Sequence, residues 1–192
     1  MISARLGHFF DAPLKNFAKH IPFNPNVITI FGFILTIAAA FVIPKNLKLG
    51  GLLILLAGFF DMLDGIVARV NGKATKFGAF LDSVLDRYSD AFLFLSFSWY
   101  LAAIGNHLGA FLSLGTLVGA FLISYARARA EGLGQDCKTG LMERPERIIL
   151  LIFAALTGWI VPILWIMLFL THITVLQRIY HVRKLLKNYN PK

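Results

Sequence analysis

The amino-acid sequence predicts an all-α, polytopic membrane protein with six transmembrane helices and an N-terminal amphipathic surface helix. Of its 192 residues, 57% are hydrophobic, and the mean hydropathy is +0.70. Soluble domains average about 45–50% apolar residues. Apolar runs close to the length of about 20 residues that crosses a bilayer recur along the chain. The length suits one domain, residues 1–192.

The predicted spans follow one another with short connections. They lie at about 26–43, 52–70, 77–104, 108–130, 148–160 and 161–187, which places the transmembrane core at 26–187. Asn26 is the predicted N-cap of the first span, and Pro44 to Gly51 predict a turn. The fifth span is short unless its helix begins near Glu146. Residues 1–22 alternate apolar and basic positions at helical spacing, which predicts a helix on the membrane surface or an ordinary packed helix.

The basic residues indicate the orientation of these spans. Of 19 lysines and arginines, only Lys45 and Lys48 fall on one side, and all ten carboxylates fall with the other basic residues. The positive-inside rule therefore predicts that the acidic segments and both termini face the cytoplasm, in the cell (inner) membrane. The formal charge of +9 forms no continuous stripe, which argues against a nucleic-acid partner. A single cysteine, Cys137, permits no intrachain disulfide.

Four aspartates lie close together in an otherwise apolar part of the chain. Asp61 and Asp64 are three residues apart, and Asp82 and Asp86 are four apart, so each pair shares one face of a helix. The connection around Gly72 lets the two helices run antiparallel with their acidic faces inward. Four hard oxygen donors suit Mg²⁺ or Mn²⁺. The segment therefore predicts a divalent-cation site.

Burial of these carboxylates requires compensation. Each costs roughly 2.5–3.5 kcal/mol at the centre of a membrane helix, so a bound cation or a water-filled cavity is expected. The alternative is a structural ion-pair cluster in which Arg69 and Arg87 neutralise the acids. Three small residues beside the acids favour a bulky ligand instead. They are Gly65, Ala68 and Gly78.

A second cluster, of arginines, falls at the cytoplasmic helix ends. Its members are Arg127, Arg129, Arg144, Arg147 and Arg178. Arginine binds phosphate through planar, bidentate contacts, although the positive-inside rule alone also predicts basic helix ends. Arg127 and Arg178 fall near span ends, where they can point into a shared cavity. The nearby acids Glu131, Glu143 and Glu146 are expected to orient some of these arginines as ion pairs.

The spacing of the acidic segment resembles the signature of the CDP-alcohol phosphotransferase family. The eight positions that match are Asp61, Asp64, Gly65, Ala68, Arg69, Gly78, Asp82 and Asp86. The resemblance implies a six-helix membrane domain over nearly the whole chain, typically homodimeric. It also implies attack by a substrate hydroxyl on the β-phosphorus of a CDP-alcohol, with release of CMP and with two Mg²⁺ or Mn²⁺ ions.

The resemblance implies a role for each residue of the motif. The metal ligands would be Asp61, Asp64, Asp82 and Asp86, and Asp86 would also accept the hydroxyl proton. Arg69 would hold the diphosphate, and Gly65 and Ala68 would leave space for the cytidine. The CDP pocket would be completed by Asn26, Val27, Ile28, Thr29 and Thr75. Asp90, one turn beyond the motif, is interpreted as supporting a ligand or pairing with Arg87.

The arginine cluster resembles the basic motifs of the inositol-phosphate branch of the family. That branch contains phosphatidylinositol phosphate and archaetidylinositol phosphate synthases. The resemblance rests on the sequences RARAE and ERPER and on Gln177-Arg178. It implies CDP-diacylglycerol or CDP-archaeol as donor and inositol 1-phosphate as acceptor, with the five arginines on the acceptor phosphate. Glycerol 3-phosphate as acceptor, or CDP-inositol as donor, are the alternatives. A cation transporter is a more distant alternative, because no charged residue continues an ion path from the acidic segment to the other face of the membrane.

Overall fold

The computed structural model describes residues 18–19 and 23–187, and this part of the chain is helical. Six helices follow one another: α1 (Pro25–Val42), α2 (Leu47–Val70), α3 (Lys76–Ala103), α4 (His107–Glu131), α5 (Arg144–Thr157) and α6 (Ile160–Lys187). The all-α prediction and the order of the helices are confirmed. Four of these helices, α1, α2, α4 and α6, are long and apolar enough to cross a membrane. The helix predicted within 1–22 lies outside the described residues, apart from Ala18 and Lys19.

The first helix is capped by Asn24, and the prediction of Asn26 as N-cap was wrong. The side-chain oxygen of Asn24 accepts a hydrogen bond from the backbone N–H of Asn26 at 3.0 Å. Pro25 occupies the first helical position, where its fixed φ suits the helix and its missing N–H costs nothing. The residue before the proline therefore supplies the cap.

The predicted turn from Pro44 to Gly51 is also wrong, because α2 begins at Leu47. Asn46 caps α2 by accepting a hydrogen bond from the Leu49 N–H at 3.1 Å. Gly51 lies inside α2 and permits close packing of α2 against α5. A Cβ added there would lie 2.8 Å from the Cβ of Ala155 in α5.

Helix α5 begins at Arg144, four residues before the predicted span. Its 14 residues end at Gly158, whose φ of +79° only glycine adopts at low cost. The two basic residues of the ERPER sequence therefore lie in the first turn of a helix. This placement decides which groups they contact.

The helices pack around a main apolar core, and a smaller buried apolar cluster lies between α1 and α2. Helix α1 packs on α2 and α3, α4 packs on α3 and α6, and α5 packs on α2 and α6. Fully buried core side chains come from all six helices and include Ala39, Ile54, Phe94, Leu112, Leu151 and Met167. Large apolar residues also cover the outer surface, as expected for helices that face lipid. Helices α2 and α3 make little direct contact among the described residues, which leaves space between their acidic ends.

Candidate metal and substrate site

Three of the four predicted metal ligands converge between α2 and α3. One carboxylate oxygen each of Asp61, Asp82 and Asp86 lies within 4.8 Å of the others, and all three residues are partly buried. Asp64 lies one turn further along α2 and is buried. Its Oδ2 atom is buried and has no hydrogen-bond partner among the described residues. Asp64 also lies within electrostatic range of Asp61 and Asp82.

The local sequence explains why these carboxylates meet. Helix α2 ends at Val70 and α3 begins at Lys76, so the chain reverses within five residues. Gly72 adopts a φ of +63° in this connection, a conformation that favours glycine. Thr75 then caps α3 by accepting a hydrogen bond from the Gly78 N–H at 2.9 Å. The acidic end of α2 is thereby returned against the acidic start of α3.

The donor set fits a divalent cation. Four carboxylates formally carry four negative charges, and two guanidinium groups lie near them. Arg144 Nη1 is 2.6 Å from Asp61 Oδ2 and 2.8 Å from Asp86 Oδ1, and Arg87 Nη1 is 3.7 Å from Asp86 Oδ2. The site therefore keeps a formal charge of about −2, and its unpartnered Asp64 oxygen is the kind of hard ligand that Mg²⁺ and Mn²⁺ prefer.

Arg144 is the basic residue that bridges this cluster, a placement that the sequence did not predict. The structural alternative assigned neutralisation to Arg69 and Arg87. Arg87 neutralises Asp86 only in part. Its Nη1 lies 3.7 Å from Asp86 Oδ2 and donates a shorter hydrogen bond, of 2.6 Å, to the Ser83 carbonyl. Arg69 instead folds back along α2, where its Nη1 would lie 3.4 Å from a Cβ added at Gly65. The absent side chain of Gly65 therefore makes room for Arg69.

The predicted nucleotide-pocket residues are only partly brought together. A Cβ at Gly78 would lie 2.8 Å from Asn26 Oδ1 and 3.0 Å from Thr75 Oγ1, so these three residues share one place. Ile28 is buried in the α1–α2 interface, and Val27 is exposed. Four consecutive helical residues point in different directions, which separates the four positions that were predicted together. Ala68 is half-buried on the helix face beside the site.

A cavity of about 580 Å³ extends from the acidic cluster into the apolar part of the protein. Its polar end is lined by Thr29, Asp61, Asp86 and Arg144. Its apolar end includes Ile54, Leu93 and Ile152. A second cavity of about 460 Å³ lies beside α6 and is lined by polar residues that include Thr139, Gln177, His181 and Lys184. Glu146 lines both cavities.

The five predicted acceptor arginines lie in three different environments. Arg127 is half-exposed and forms an ion pair with Glu131 at 2.8 Å, as predicted, and Arg129 is exposed. Arg178 is buried; its Nε donates to the Thr139 carbonyl at 2.8 Å and its Nη1 to the Ile123 carbonyl at 2.5 Å. Its Nη2 lies 3.9 Å from Glu143. The remaining two arginines face α3.

Arg147 forms a buried ion pair with Asp90. Arg147 Nη2 lies 2.6 Å from Asp90 Oδ2. The interpretation that Asp90 pairs with Arg87 was therefore wrong, because Arg87 lies beside Asp86 instead. Both Arg127 and Arg147 lie within electrostatic range of Arg178, so three guanidinium groups, one each from α4, α5 and α6, do gather.

The chain is similar to known proteins over most of its length. The family model described as CDP-alcohol phosphatidyltransferase matches residues 23–177. The archaetidylinositol phosphate synthase of Pyrococcus horikoshii is 36% identical over 91% of this chain and 93% of its own length. The phosphatidylinositol phosphate synthase of Mycobacteroides abscessus is 34% identical over 89% of this chain and 82% of its own.

Solved structures give the same result. The phosphatidylinositol phosphate synthase of Mycobacterium tuberculosis with CDP-DAG bound superposes with a TM-score of 0.80 at 32% identity, covering 90% of this chain and 92% of that one. The same protein in complex with manganese and citrate gives a TM-score of 0.79, with 90% and 88% covered. The chain therefore belongs to the CDP-alcohol phosphatidyltransferase family.

Proposed function

We propose that this enzyme transfers a substituted phosphatidyl or archaetidyl group from a CDP-lipid to a hydroxyl of inositol 1-phosphate, with release of CMP. The observation that carries the proposal is the convergence of Asp61, Asp82 and Asp86 within 4.8 Å at the mouth of a cavity whose other end is apolar. A CDP-lipid has the same two parts, a charged diphosphate and apolar tails. Relatives that cover most of this chain carry the names of inositol phosphate lipid synthases.

The acidic residues would hold divalent cations, as two ions of magnesium or manganese. Asp61, Asp64 and Asp82 would be metal ligands, and Asp86 would also contact one of the ions. Bound cations would stabilise the negative charge of the diphosphate as it is transferred. Arg69 would hold the diphosphate from the end of α2, and Asn26, Thr29 and Thr75 would contact the nucleotide.

Asp86 would act as the general base. As the acceptor oxygen forms its bond to the β-phosphorus and the bond to CMP breaks, the hydroxyl proton passes to the Asp86 carboxylate. Asp86 Oδ1 lies 2.8 Å from Arg144 Nη1, so the guanidinium fixes the direction of this carboxylate. Positioned proton transfer of this kind contributes about 10²- to 10⁴-fold to rate.

The acceptor phosphate would bind at the basic cluster formed by Arg127, Arg147 and Arg178, with Arg129 and Arg144 at its edges. Arg178 Nε and Nη1 donate to backbone carbonyls of two different segments, so Nη2, which lies 3.9 Å from Glu143, would be the atom that contacts the phosphate. The second cavity adjoins this region and offers amide, imidazole and ammonium groups to a polyol ring. These groups support a phosphorylated polyol over a plain alcohol as acceptor.

The arrangement in the membrane is part of the same proposal. All six helices would lie within a single domain in the cell membrane, with α3 and α5 completing the set of spans. The acidic site and the arginines would face the cytoplasm, and two copies would form a homodimer. The support is the asymmetry of basic residues, of which only Lys45 and Lys48 fall on the far side.

The experiment is a CMP-release assay on purified protein with Mg²⁺, one CDP-lipid and a panel of acceptors. Inositol 1-phosphate is expected to give the fastest release, because it supplies both a phosphate and a polyol. Faster release with glycerol 3-phosphate would change the acceptor, and release from CDP-inositol in place of the CDP-lipid would change the donor. Cation flux across liposomes without any CMP release would overturn the proposal.

A further inference from the structure

Ser89 of α3 is a buried serine that has no hydrogen-bond partner among the described residues. Its side chain lies in a residue that is only 3% exposed. A serine or threonine inside a helix usually turns its hydroxyl to a nearby backbone carbonyl. Every other buried serine and threonine of the described helices donates such a bond. These residues are Thr29, Thr36, Ser96, Ser113, Thr116, Thr171 and Thr174.

Stability does not explain a buried hydroxyl of this kind. A buried donor without a partner lowers stability, and a methyl group of similar size at the same place would not. Such a group therefore calls for an explanation, and a bound ligand is one that its surroundings can be searched for.

Ser89 lines the larger cavity, between the polar and the apolar end of that cavity. On α3 the wall of the cavity includes Asp86, Ser89 and Leu93. These residues are three and four positions apart, so each follows the previous one by about one helical turn. The wall therefore changes from charged to polar and then to apolar as α3 leads away from the acidic cluster.

The other two hydroxyl groups that line this cavity already have acceptors in the protein. Thr29 Oγ1 donates to the Pro25 carbonyl, and Thr36 Oγ1 donates to the Gly32 carbonyl, both at 3.1 Å. Among the described residues, Ser89 is thus the one hydroxyl of the cavity wall whose proton remains available to a ligand.

A CDP-lipid presents its groups in the same order as this wall. Its diphosphate is charged, the glycerol that follows carries the chains through ester or ether oxygens, and the chains are hydrocarbon. With the β-phosphorus beside Asp86, the glycerol oxygens would lie one turn further along α3, at Ser89, and the chains would begin near Leu93. Ester and ether oxygens only accept hydrogen bonds, and a serine hydroxyl supplies one donor.

We propose that Ser89 is a substrate-binding residue whose hydroxyl donates a hydrogen bond to an oxygen of the glycerol backbone of the donor lipid. The proposal rests on the proposed function for the place of the β-phosphorus. The bond would set the depth at which the lipid lies in the cavity, and so hold the β-phosphorus beside Asp86. Diacyl and dialkyl donors share the oxygen-bearing glycerol that this bond requires.

The test measures binding by isothermal titration, with Mg²⁺ and without acceptor, in the wild type and Ser89→Ala. The ligands are CDP-diacylglycerol, its dialkyl ether counterpart and CDP. Ser89→Ala is expected to bind the diacyl donor about fivefold more weakly, in line with the usual strength of a neutral hydrogen bond. CDP affinity should stay within about twofold, because CDP has no glycerol.

The dialkyl donor identifies the oxygen that accepts the bond. An equal loss with both donors would place the bond on an oxygen that links a chain to the glycerol, and a loss with the diacyl donor alone would place it on an ester carbonyl. Unchanged affinity for both lipids, or an equal loss for CDP, would overturn the proposal.

Two further variants separate hydrogen bonding from packing. Ser89→Cys keeps a side chain of similar size with a weak donor, so it should weaken lipid binding about as much as Ser89→Ala; wild-type affinity in Ser89→Cys would contradict the proposal. Ser98→Ala is the matched control on the same helix. Ser98 donates to the Ala110 carbonyl at 3.1 Å and lines neither cavity, so its loss should lower the melting temperature and leave lipid binding unchanged.

Steady-state kinetics test the same contact during turnover. In Ser89→Ala the CDP-lipid KM should rise by about fivefold, while the acceptor KM stays within about twofold. A raised acceptor KM with the CDP-lipid KM intact would contradict the proposal. Lack of CMP release by the wild type with every acceptor would refute the proposed function, and the binding measurements would still decide the role of Ser89.

Discussion

The acidic and basic halves of the site are built in different ways. Asp61, Asp82 and Asp86 come from two helices joined by a five-residue connection. The arginines come from α4, α5 and α6 and reach their places only through packing between distant segments. Local helical spacing therefore determines the acidic half, whereas tertiary contacts determine the basic half. Changes in the acidic half should affect the chemistry, and changes in the basic half should affect affinity for one substrate.

The largest effect is expected at Asp86. Asp86→Asn removes the proposed proton acceptor but keeps a side chain of the same size beside Arg144. CMP release should fall by about 10²- to 10⁴-fold, while binding of the CDP-lipid, measured by isothermal titration, stays nearly unchanged. Near-normal turnover in this variant would exclude Asp86 as the base.

Arg178 tests the basic half. Arg178→Met removes charged hydrogen bonds to the Thr139 and Ile123 carbonyls together with the proposed phosphate contact. The acceptor KM should rise by about 10- to 100-fold, in line with the usual strength of hydrogen bonds to a charged group, while the CDP-lipid KM stays within about twofold. Arg183→Met, at an exposed position of the same helix, is the control. Equal increases in both KM values would contradict the separation of the two halves.

Gly78 tests the predicted binding site of the CDP-lipid donor. In Gly78→Ala the new methyl group would lie 2.8 Å from Asn26 Oδ1 and 3.0 Å from Thr75 Oγ1, so the Asn26 side chain must move. Overpacking of this kind costs about 1–3 kcal/mol, and we expect the CDP-lipid KM to rise about fivefold with the acceptor KM unchanged. An unchanged donor KM would show that Asn26 does not contact the nucleotide.

The smallest effect is expected at Glu131. This residue pairs with Arg127 four positions earlier on α4, and both side chains are close to half-exposed. Exposed pairs at this spacing are worth about 0.3–0.5 kcal/mol, so Glu131→Gln should lower the melting temperature in detergent by only about 1 °C. A loss of about 5 °C or more would mean that the pair holds the end of α4 in place.

Local spacing explains how much of the fold and site could be predicted. The six helices follow from their apolar runs, and the meeting of Asp61 with Asp82 and Asp86 follows from a short connection that contains Gly72. The two wrong helix starts also have local causes. Pro25 occupies the first position of α1, so Asn24 and not Asn26 is the N-cap. The turn after Pro44 was predicted to extend to Gly51, whereas Asn46 already caps α2. Gly51 lies inside α2, where its missing side chain leaves room for Ala155 of α5.

The partners of the arginines could not be predicted in the same way. Arg147 pairs with Asp90, which lies 57 residues earlier in the chain, and Arg144 pairs with Asp61, which lies 83 residues earlier. No pattern within either segment specifies those distances. A signal was nevertheless present, because Asp90 continues the four-residue spacing of Asp82 and Asp86, and Arg147 follows Arg144 by one turn. Matched spacing on two helices predicts paired contacts once the helices are known to pack.

The most direct test of the account is a Mn²⁺ titration of the wild type, Asp82→Asn and Asp136→Asn without substrate. Asp136 is an exposed aspartate paired with Lys138 and serves as the matched control. We expect the wild type and Asp136→Asn to bind Mn²⁺ equally, and Asp82→Asn to bind it at least about tenfold more weakly. Equal Mn²⁺ affinity in all three proteins would contradict the claim that the carboxylates between α2 and α3 hold the cation.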